Sequence, residues 1–341
     1  MAQINKPSDY FNTKLYTGNG STQSISSVGF QPDFTWIKQR DGTFGHDLYD
    51  ALRGATKVIN TNNNLAEYTE SARLTSFDSD GFSLGSETPT NGNGNSYASW
   101  NWLASNTTAS NTDGSITSTV SANTTSGFSI VSYTGTGSNA TIGHGLGSVP
   151  KMIIVKNRDS AVSWSVYHNS LGATKYILLN STDGSATVTS WNNTEPTSSV
   201  FSVGTLNGVN SSSTDYIAYC FAEKPGFSKF GSYTGNGSAD GTFVYTGFKP
   251  AWVMVKRSNN TQGWYMLDNK RNTFNPEDKY LEANDSDAEA TFTFCDFLSN
   301  GFKARVDNTG TGFNFSGDTY IYMAFAESPL VGTNNIPATA R

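Results

Sequence analysis

The amino-acid sequence predicts an all-β protein built from three tandem antiparallel β-sandwiches of jelly-roll or Greek-key type, each about 100 residues long. Three observations predict this class. A set of short motifs recurs three times along the chain, and apolar segments of strand length follow these motifs. No long window shows the sustained periodicity of an amphipathic helix.

Three motifs recur in a fixed order. A hexapeptide, Tyr-Thr-Gly-x-Gly-Ser, occupies residues 16–21, 133–138 and 233–238. A Pro follows each hexapeptide with a Lys six positions later, giving the pairs Pro32 and Lys38, Pro150 and Lys156, and Pro250 and Lys256. A closing motif occupies residues 97–104, 216–223 and 320–327, and its first copy is the most divergent. The predicted organisation is an N-terminal tail 1–14, repeats 15–104, 127–224 and 225–330, a Ser/Thr/Asn-rich segment 105–126 that forms a linker or an extended surface strand, and a C-terminal tail 331–341.

The segment after each Pro is apolar on both of its alternating faces. Residues 152–155, Met-Ile-Ile-Val, are the clearest case. A strand that is apolar on both faces lies inside a packed structure and not at a solvent-facing edge. Pro at the start of such a strand removes no hydrogen bond from the sheet. We therefore expect these three segments to be central strands.

Composition excludes several classes of protein. The chain has 22 Lys and Arg against 28 Asp and Glu, a net charge of −6, which does not favour binding to nucleic acid. No apolar run approaches the roughly 20 residues that span a membrane, and the N-terminus has no apolar leader. Cys220 and Cys295 cannot form a disulfide framework. We expect a protein made in a cytoplasm, without nucleic-acid binding or membrane insertion.

The sequence predicts no catalytic, cofactor or structural metal site. His46, His144 and His168 lack a second ligand at zinc spacing, and no nucleophile elbow, phosphate-binding loop or dinucleotide fingerprint occurs. The sequence is therefore typical of a protein that is not an enzyme. The one weak metal candidate is a calcium site formed by the alternating carboxylates Asp285, Asp287 and Glu289, and a solvated loop is its alternative.

Position eighteen after each Pro carries Asp50, His168 and Asp268, and Arg53 and Arg271 stand three residues further on in the outer repeats. These groups could act as acid–base or ligand contacts. The alternative is an Asp–Arg surface pair that fixes a loop, which contributes under about 1 kcal/mol. The exchange of Asp for His in the middle repeat disfavours a shared catalytic role.

Aromatic residues are candidates for ligand contacts at the surface. Trp164, Trp191 and Trp264 could present flat faces to sugar rings, with His168 as a further contact, or they could pack within and between the repeats. Packing is the favoured role for Trp36 and Trp252, which fall in the segments that are apolar on both faces.

Several phrases resemble a known group of proteins. Residues 145–158 (GLGSVPKMIIVKNR), 195–202 and 320–327 resemble virion structural proteins of marine tailed bacteriophages, some of which are labelled tail fibre. The resemblance covers residues 14 to 341 and is weakest at Trp100-Asn101-Trp102 in the first repeat. It implies a non-catalytic protein on the virion surface that acts in tail-fibre-like host attachment. The alternatives are a capsid or tail decoration protein that stabilises the particle and, ranked lowest, a polysaccharide depolymerase.

The same resemblance sets the expected partners. These are other virion proteins of the shell or tail, further copies of the chain in a homo-oligomer, and a glycan of the host cell surface. Many copies of a weak surface contact give tight attachment without a deep pocket.

Overall fold

The protein consists almost entirely of β-strands, which confirms the predicted all-β class. The structure is a computed structural model that describes residues 3–308, 312–333 and 335–340. Within these residues, helix is confined to a 3-10 turn at Pro7–Asp9 and the four-residue α1 at Thr88–Asn91.

The first unit contains nine strands in two layers. They are β1 (Phe11–Thr17), β2 (Gln23–Ile25), β3 (Phe34–Gln39), β4 (Asp47–Asp50), β5 (Lys57–Asn60), β6 (Tyr68–Thr69), β7 (Leu74–Asp78), β8 (Gly81–Leu84) and β9 (Ser96–Trp102). The main sheet has the order β1-β9-β3-β4-β5-β6, and the smaller sheet has the order β2-β8-β7. Because β1 starts at Phe11, the sheet includes part of the predicted N-terminal tail 1–14.

The second unit repeats this plan. Its strands are β10 (Ala109–Asn111), β11 (Ser118–Asn123), β12 (Phe128–Thr134), β13 (Ala140–Gly143), β14 (Pro150–Asn157), β15 (Ser165–His168), β16 (Lys175–Leu178), β17 (Ala186–Thr187), β18 (Val200–Val203) and β19 (Asp215–Ala222). The main sheet runs β10-β11-β12-β19-β14-β15-β16-β17, and β13 pairs with β18 in the smaller sheet.

In the third unit one continuous sheet contains all the strands. They are β20 (Ser228–Thr234), β21 (Phe243–Tyr245), β22 (Phe248–Arg257), β23 (Trp264–Asp268), β24 (Glu277–Glu282), β25 (Ala290–Leu298), β26 (Gly301–Ala304) and β27 (Thr319–Pro329). The order is β20-β27-β22-β23-β24-β25-β26-β21, so the long β25 joins the two layers. In all three units the closing strand lies between the hexapeptide strand and the strand that follows the Pro.

Each main sheet is apolar on both faces because each face has its own core. One face packs against the smaller layer of the same unit, as Ile37 of β3 does. The other face joins a larger cluster that takes residues from all three units. Phe34 and Trp36 of the same strand point into this shared cluster, which matches the predicted alternation along the segment. The three units therefore surround one common core.

Residues 105–126 belong to the second unit's sheet and do not form a linker. β11 pairs with β12 and β10 pairs with β11, which extends the main sheet by two strands. Ile116, Ser118 and Val120 are buried while Thr117 and Thr119 are exposed. This alternation turns one face of the segment toward the unit, and Ile116 forms a parallel bridge to Ile142 of β13.

Candidate functional site at the junctions of the three units

The shared core is a cluster of aromatic rings. Trp102 of the first unit meets Trp252 of the third edge to face, with ring centroids 5.7 Å apart. Phe34 of the first unit meets Tyr219 of the second at 4.6 Å, and Phe221 of the second meets Phe325 of the third at 6.1 Å. All three pairs of units are in contact, so the units close into a ring and do not form an open string.

The first junction, between the first and second units, is built on the buried pair Asp50 and Arg53. Arg53 Nε lies 2.5 Å from Asp50 Oδ2, and both side chains are fully buried. The Tyr219 hydroxyl of the second unit donates to the same carboxylate oxygen at 2.7 Å. Arg53 also contacts Glu67, whose carboxylate accepts two hydrogen bonds from Arg158 of the second unit at 2.9 and 3.0 Å. Burial alone lowers the pKa of Arg53, but Asp50 raises it overall, so the guanidinium stays charged.

The same arrangement recurs where the third unit meets the first. Arg271 Nε lies 2.6 Å from Asp268 Oδ2, and both are fully buried. The Trp100 indole N–H of the first unit donates to that oxygen at 3.1 Å. Glu289 contacts Arg271 and accepts two hydrogen bonds from Arg40 of the first unit at 2.9 and 2.7 Å. Burial alone would raise the pKa of Asp268, but Arg271 outweighs it and holds the carboxylate ionised.

The junction between the second and third units is neutral. His168 Nδ1 accepts the backbone N–H of Ser170, so Nε2 carries the proton and donates to the Tyr322 carbonyl oxygen at 3.2 Å. Burial lowers the pKa of His168 to about 4, which keeps the ring uncharged. Met323 stands where the other closing strands have Trp100 and Tyr219. Since the Met side chain has no N–H or O–H donor and Leu171 replaces the Arg, a carboxylate here would have no counter-charge and no side-chain donor.

A backbone hydrogen bond marks corresponding positions at all three junctions. The N–H of Glu67 donates to Arg158, that of Glu289 to Arg40, and that of Ser185 to Ser258. Corresponding backbone positions therefore meet at each junction, and the Glu–Arg pair of two junctions becomes a Ser–Ser pair at the third. The predicted Asp–Arg pair exists, but it is buried and not on the surface, because a strand of the neighbouring unit covers it.

The candidate surface contacts Trp164, Trp191, Trp264 and His168 are all buried, which corrects their interpretation as exposed sugar platforms. The indole N–H of Trp164 donates to Asn60 of the first unit at 3.0 Å, and that of Trp264 to Leu178 of the second at 2.9 Å. Trp191 packs edge to face on Tyr167 at 5.8 Å. The packing alternative is therefore correct for all three rings.

The recurring lysines bind backbone carbonyls of the loop that follows each of them, and Lys256 also donates to the Thr182 carbonyl of the second unit. Lys38 donates to the carbonyls of Gln39 and Gly42 at 2.7 and 2.9 Å, and Lys156 makes the same bonds one unit later. Burial lowers the pKa of Lys38 and Lys156 to about 8 and that of Lys256 to about 7. These side chains cap backbone carbonyls, which explains why the Lys stands at a fixed distance from the Pro.

The carboxylates of the calcium candidate have different roles in the structure. Glu289 is bound by two arginines at the junction of the third and first units. Asp285 accepts backbone N–H bonds from Ser286 and Asp287, as in a solvated turn. The described residues contain no group of three potential ligands that could hold a metal ion.

The fold and the site define a class: an all-β protein whose antiparallel sheets pack around one aromatic core. The chain belongs to the family described as domain of unknown function (DUF7483), whose model matches residues 6–329. A search of curated proteins finds no match to the chain. No helix within the described residues is long and apolar enough to span a bilayer.

Sequence reasoning missed the residues that complete the junctions from the neighbouring unit. Tyr219 and Trp100 occupy the same position of the closing motif, and Arg40 and Arg158 both stand eight residues after the Pro. This spacing was a signal that could have found them. Their partner units could not be assigned without the structure, because the contacts join residues up to 249 positions apart.

Proposed function

We propose that the protein is a non-catalytic structural component of a bacteriophage particle, exposed on the exterior and acting in tail-fibre-like attachment to the host cell. The phrases at residues 145–158, 195–202 and 320–327 support this origin by their resemblance to virion proteins. The observation that carries the proposal is the closure of three units around one core, which gives a compact body suited to display and to repeated contact.

The use of the reactive side chains supports a role without chemistry. Asp50 and Asp268 are committed to buried ion pairs, and His168 to a buried hydrogen bond. Cys220 and Cys295 are buried, and burial raises the pKa of both thiols, so neither is a reactive thiolate. A surface rich in uncharged polar residues fits weak contacts that many copies multiply into tight attachment.

A decoration protein that stabilises the capsid or tail is the second candidate. The threefold-like ring of units favours it, because three similar faces can meet three subunits around a threefold axis of a shell. Under this alternative, the difference between the one neutral junction and the two charged junctions fixes which units pair with each other. Attachment and decoration predict different losses when the protein is removed.

The test compares particles with and without the protein. If it acts in attachment, particles that lack it lose adsorption to host cells while their thermal stability is unchanged, and purified protein added first blocks adsorption of complete particles. Decoration predicts the reverse, a loss of thermal stability with normal adsorption. The proposal is wrong if density for the chain is missing from a map of the intact particle, or if purified protein releases reducing sugar from host envelope polymers.

A further inference from the structure

The three units differ at one place where two strands of the main sheet face the smaller layer. The β4–β5 register pairs Asp47 with Asn60, and the corresponding registers pair Ser165 with Leu178 and Tyr265 with Glu282. A third position is fixed by one backbone hydrogen bond in each unit, which is accepted by the carbonyls of Arg73, Ser190 and Phe294. The triplets Asp47, Ser165, Tyr265 and Arg73, Ser190, Phe294 are therefore structurally equivalent.

Large side chains fill this space in the first and third units. In the first unit Arg73 lies 3.0 Å from Asp47 and 2.7 Å from the Tyr68 hydroxyl. In the third unit Tyr265 and Phe294 pack with their ring centroids 4.7 Å apart. In both units, these side chains fill the space beside the inner face of the main sheet.

In the second unit the two equivalent residues are serines, both of them buried, and their small side chains leave a space beside them. A groove of about 530 Å³ lies there, within the range of about 300–1,000 Å³ that is usual for small-molecule sites. Its walls include Ser163, Ser165, Ser190, Tyr176 and Leu206. Asn64 of the first unit also lines it, so the groove borders the first junction.

The groove has the chemistry of a site for a neutral, hydroxyl-rich ligand. None of the described residues that line it is charged, and its polar groups are hydroxyls and the side-chain amides of Asn64 and Asn207. Within the described part of the chain, the Ser165 and Ser190 hydroxyls have no hydrogen-bond partner. Tyr176 corresponds to Tyr280, which packs edge to face against Phe294 at 4.9 Å. With Ser190 in place of Phe294, the Tyr176 ring is left to contact a ligand.

We infer that this groove of the second unit binds a neutral saccharide, with Tyr176 contacting the C–H face of a sugar ring and Ser165, Ser190 and the two amides bonding its hydroxyls. The inference rests on the proposed attachment function and names the place on the chain where a host glycan is held. An aromatic side chain of a partner peptide would also fill the space, but it would leave the Ser165 and Ser190 hydroxyls that line the groove unpaired. A charged ligand would lose its hydration without gaining a counter-charge.

The experiment fills the groove with the side chain that the third unit has at the equivalent position. The variant Ser190→Phe introduces the side chain of the third unit, and Tyr176→Ala removes the ring. Thr189→Phe is the matched control, because Thr189 is exposed and does not line the groove. Binding is measured on a panel of neutral hexose and N-acetylhexosamine oligosaccharides, followed by titration calorimetry of the saccharides that bind. A melting temperature near that of the wild type shows that each variant is folded, and Tyr176→Phe should retain most of the affinity.

We expect at least a tenfold loss of saccharide affinity for Ser190→Phe and Tyr176→Ala and no change for Thr189→Phe. If saccharides bind but all variants bind equally, the groove is not the site, while the attachment function stands. If the wild type binds no neutral saccharide, or binds only aromatic peptides, the inference is overturned. The attachment function then depends on the adsorption experiment alone, which does not require knowledge of the ligand.

Discussion

The residue type that fits at position 168 depends on neighbours that are distant in the sequence. At the equivalent positions, Asp50 and Asp268 each form an ion pair with an Arg of their own unit. Each also accepts a hydrogen bond from a side chain of a neighbouring unit. His168 has Leu171 and Met323 instead, so a neutral donor that bonds the Tyr322 carbonyl is the group that fits.

The substitution His168→Asp should therefore be severely destabilising although it restores the residue of the other two repeats. A buried carboxylate without a counter-charge costs about 3–5 kcal/mol. His168→Gln, which can still donate to the carbonyl, should cost only about 1 kcal/mol. Urea unfolding of both variants measures the difference, and equal stability of His168→Asp and the wild type would show that the junction is not closed as described.

The buried imidazole also predicts acid sensitivity. Burial lowers the pKa of His168 from 6.5 to about 4, with a small opposing effect of the Tyr322 carbonyl. Between these two values the unfolded chain binds a proton that the folded chain does not, so the free energy of unfolding falls as the pH falls from 6.5 to 4. The loss from this residue is roughly 2 kcal/mol at pH 5.

Unfolding in urea at pH 7, 6 and 5 measures this effect. The decline should be shallower for His168→Gln than for the wild type by that amount. Some decline remains, because His46 and His144 are also buried and burial lowers the pKa of each. Parallel pH curves for the two proteins would contradict the account.

Residue chemistry could be predicted from the sequence only in part. The Asp–Arg spacing was visible, but its burial was not, because the covering Tyr219 and Trp100 lie in other units. The tryptophans were ambiguous for the same reason, since a ring apolar enough to stack on a sugar is equally suited to an interface between units.

At the scale of elements, strand burial followed from the sequence most directly. The segments after the three prolines became the central strands β3, β14 and β22, because both of their faces are apolar and no edge position tolerates that. The weaker signal was residues 105–126, whose polar composition hid the alternation of Ile116, Ser118 and Val120. The groove beside Ser165 and Ser190 could not be predicted from the sequence either, because it depends on which neighbouring side chains are too small to fill the space.

The segment that leads into β11 gives a prediction at the scale of elements. Ile116 is 7% exposed and bridges to β13, so Ile116→Ser should lower the free energy of unfolding by about 2 kcal/mol. Amide hydrogen exchange should accelerate selectively in β10, β11 and β13. Thr117→Ser, at an exposed neighbour, is the control and should change neither quantity. Uniform acceleration over all three units, or none at all, would show that the segment does not depend on this contact.

At the scale of the whole molecule, three units of modest size share a core that none of them completes alone. Repetition along the sequence predicted three sets of strands, but it did not indicate that the sheets pack around one shared core. Repeats of this size can also fold as independent domains, and the spacing of the motifs is the same in both cases. The closure depends on side chains such as Trp102 and Trp252, which meet across two units.

Differential scanning calorimetry of the full chain tests this closure most directly. A shared core predicts one cooperative transition, with a calorimetric enthalpy equal to the van't Hoff enthalpy. Trp252→Ala, which removes a ring that contacts Phe11, Trp102 and Phe325, should move that entire transition to lower temperature. Two or three separate transitions, of which Trp252→Ala shifts only one, would mean that the units unfold independently and that no common core joins them.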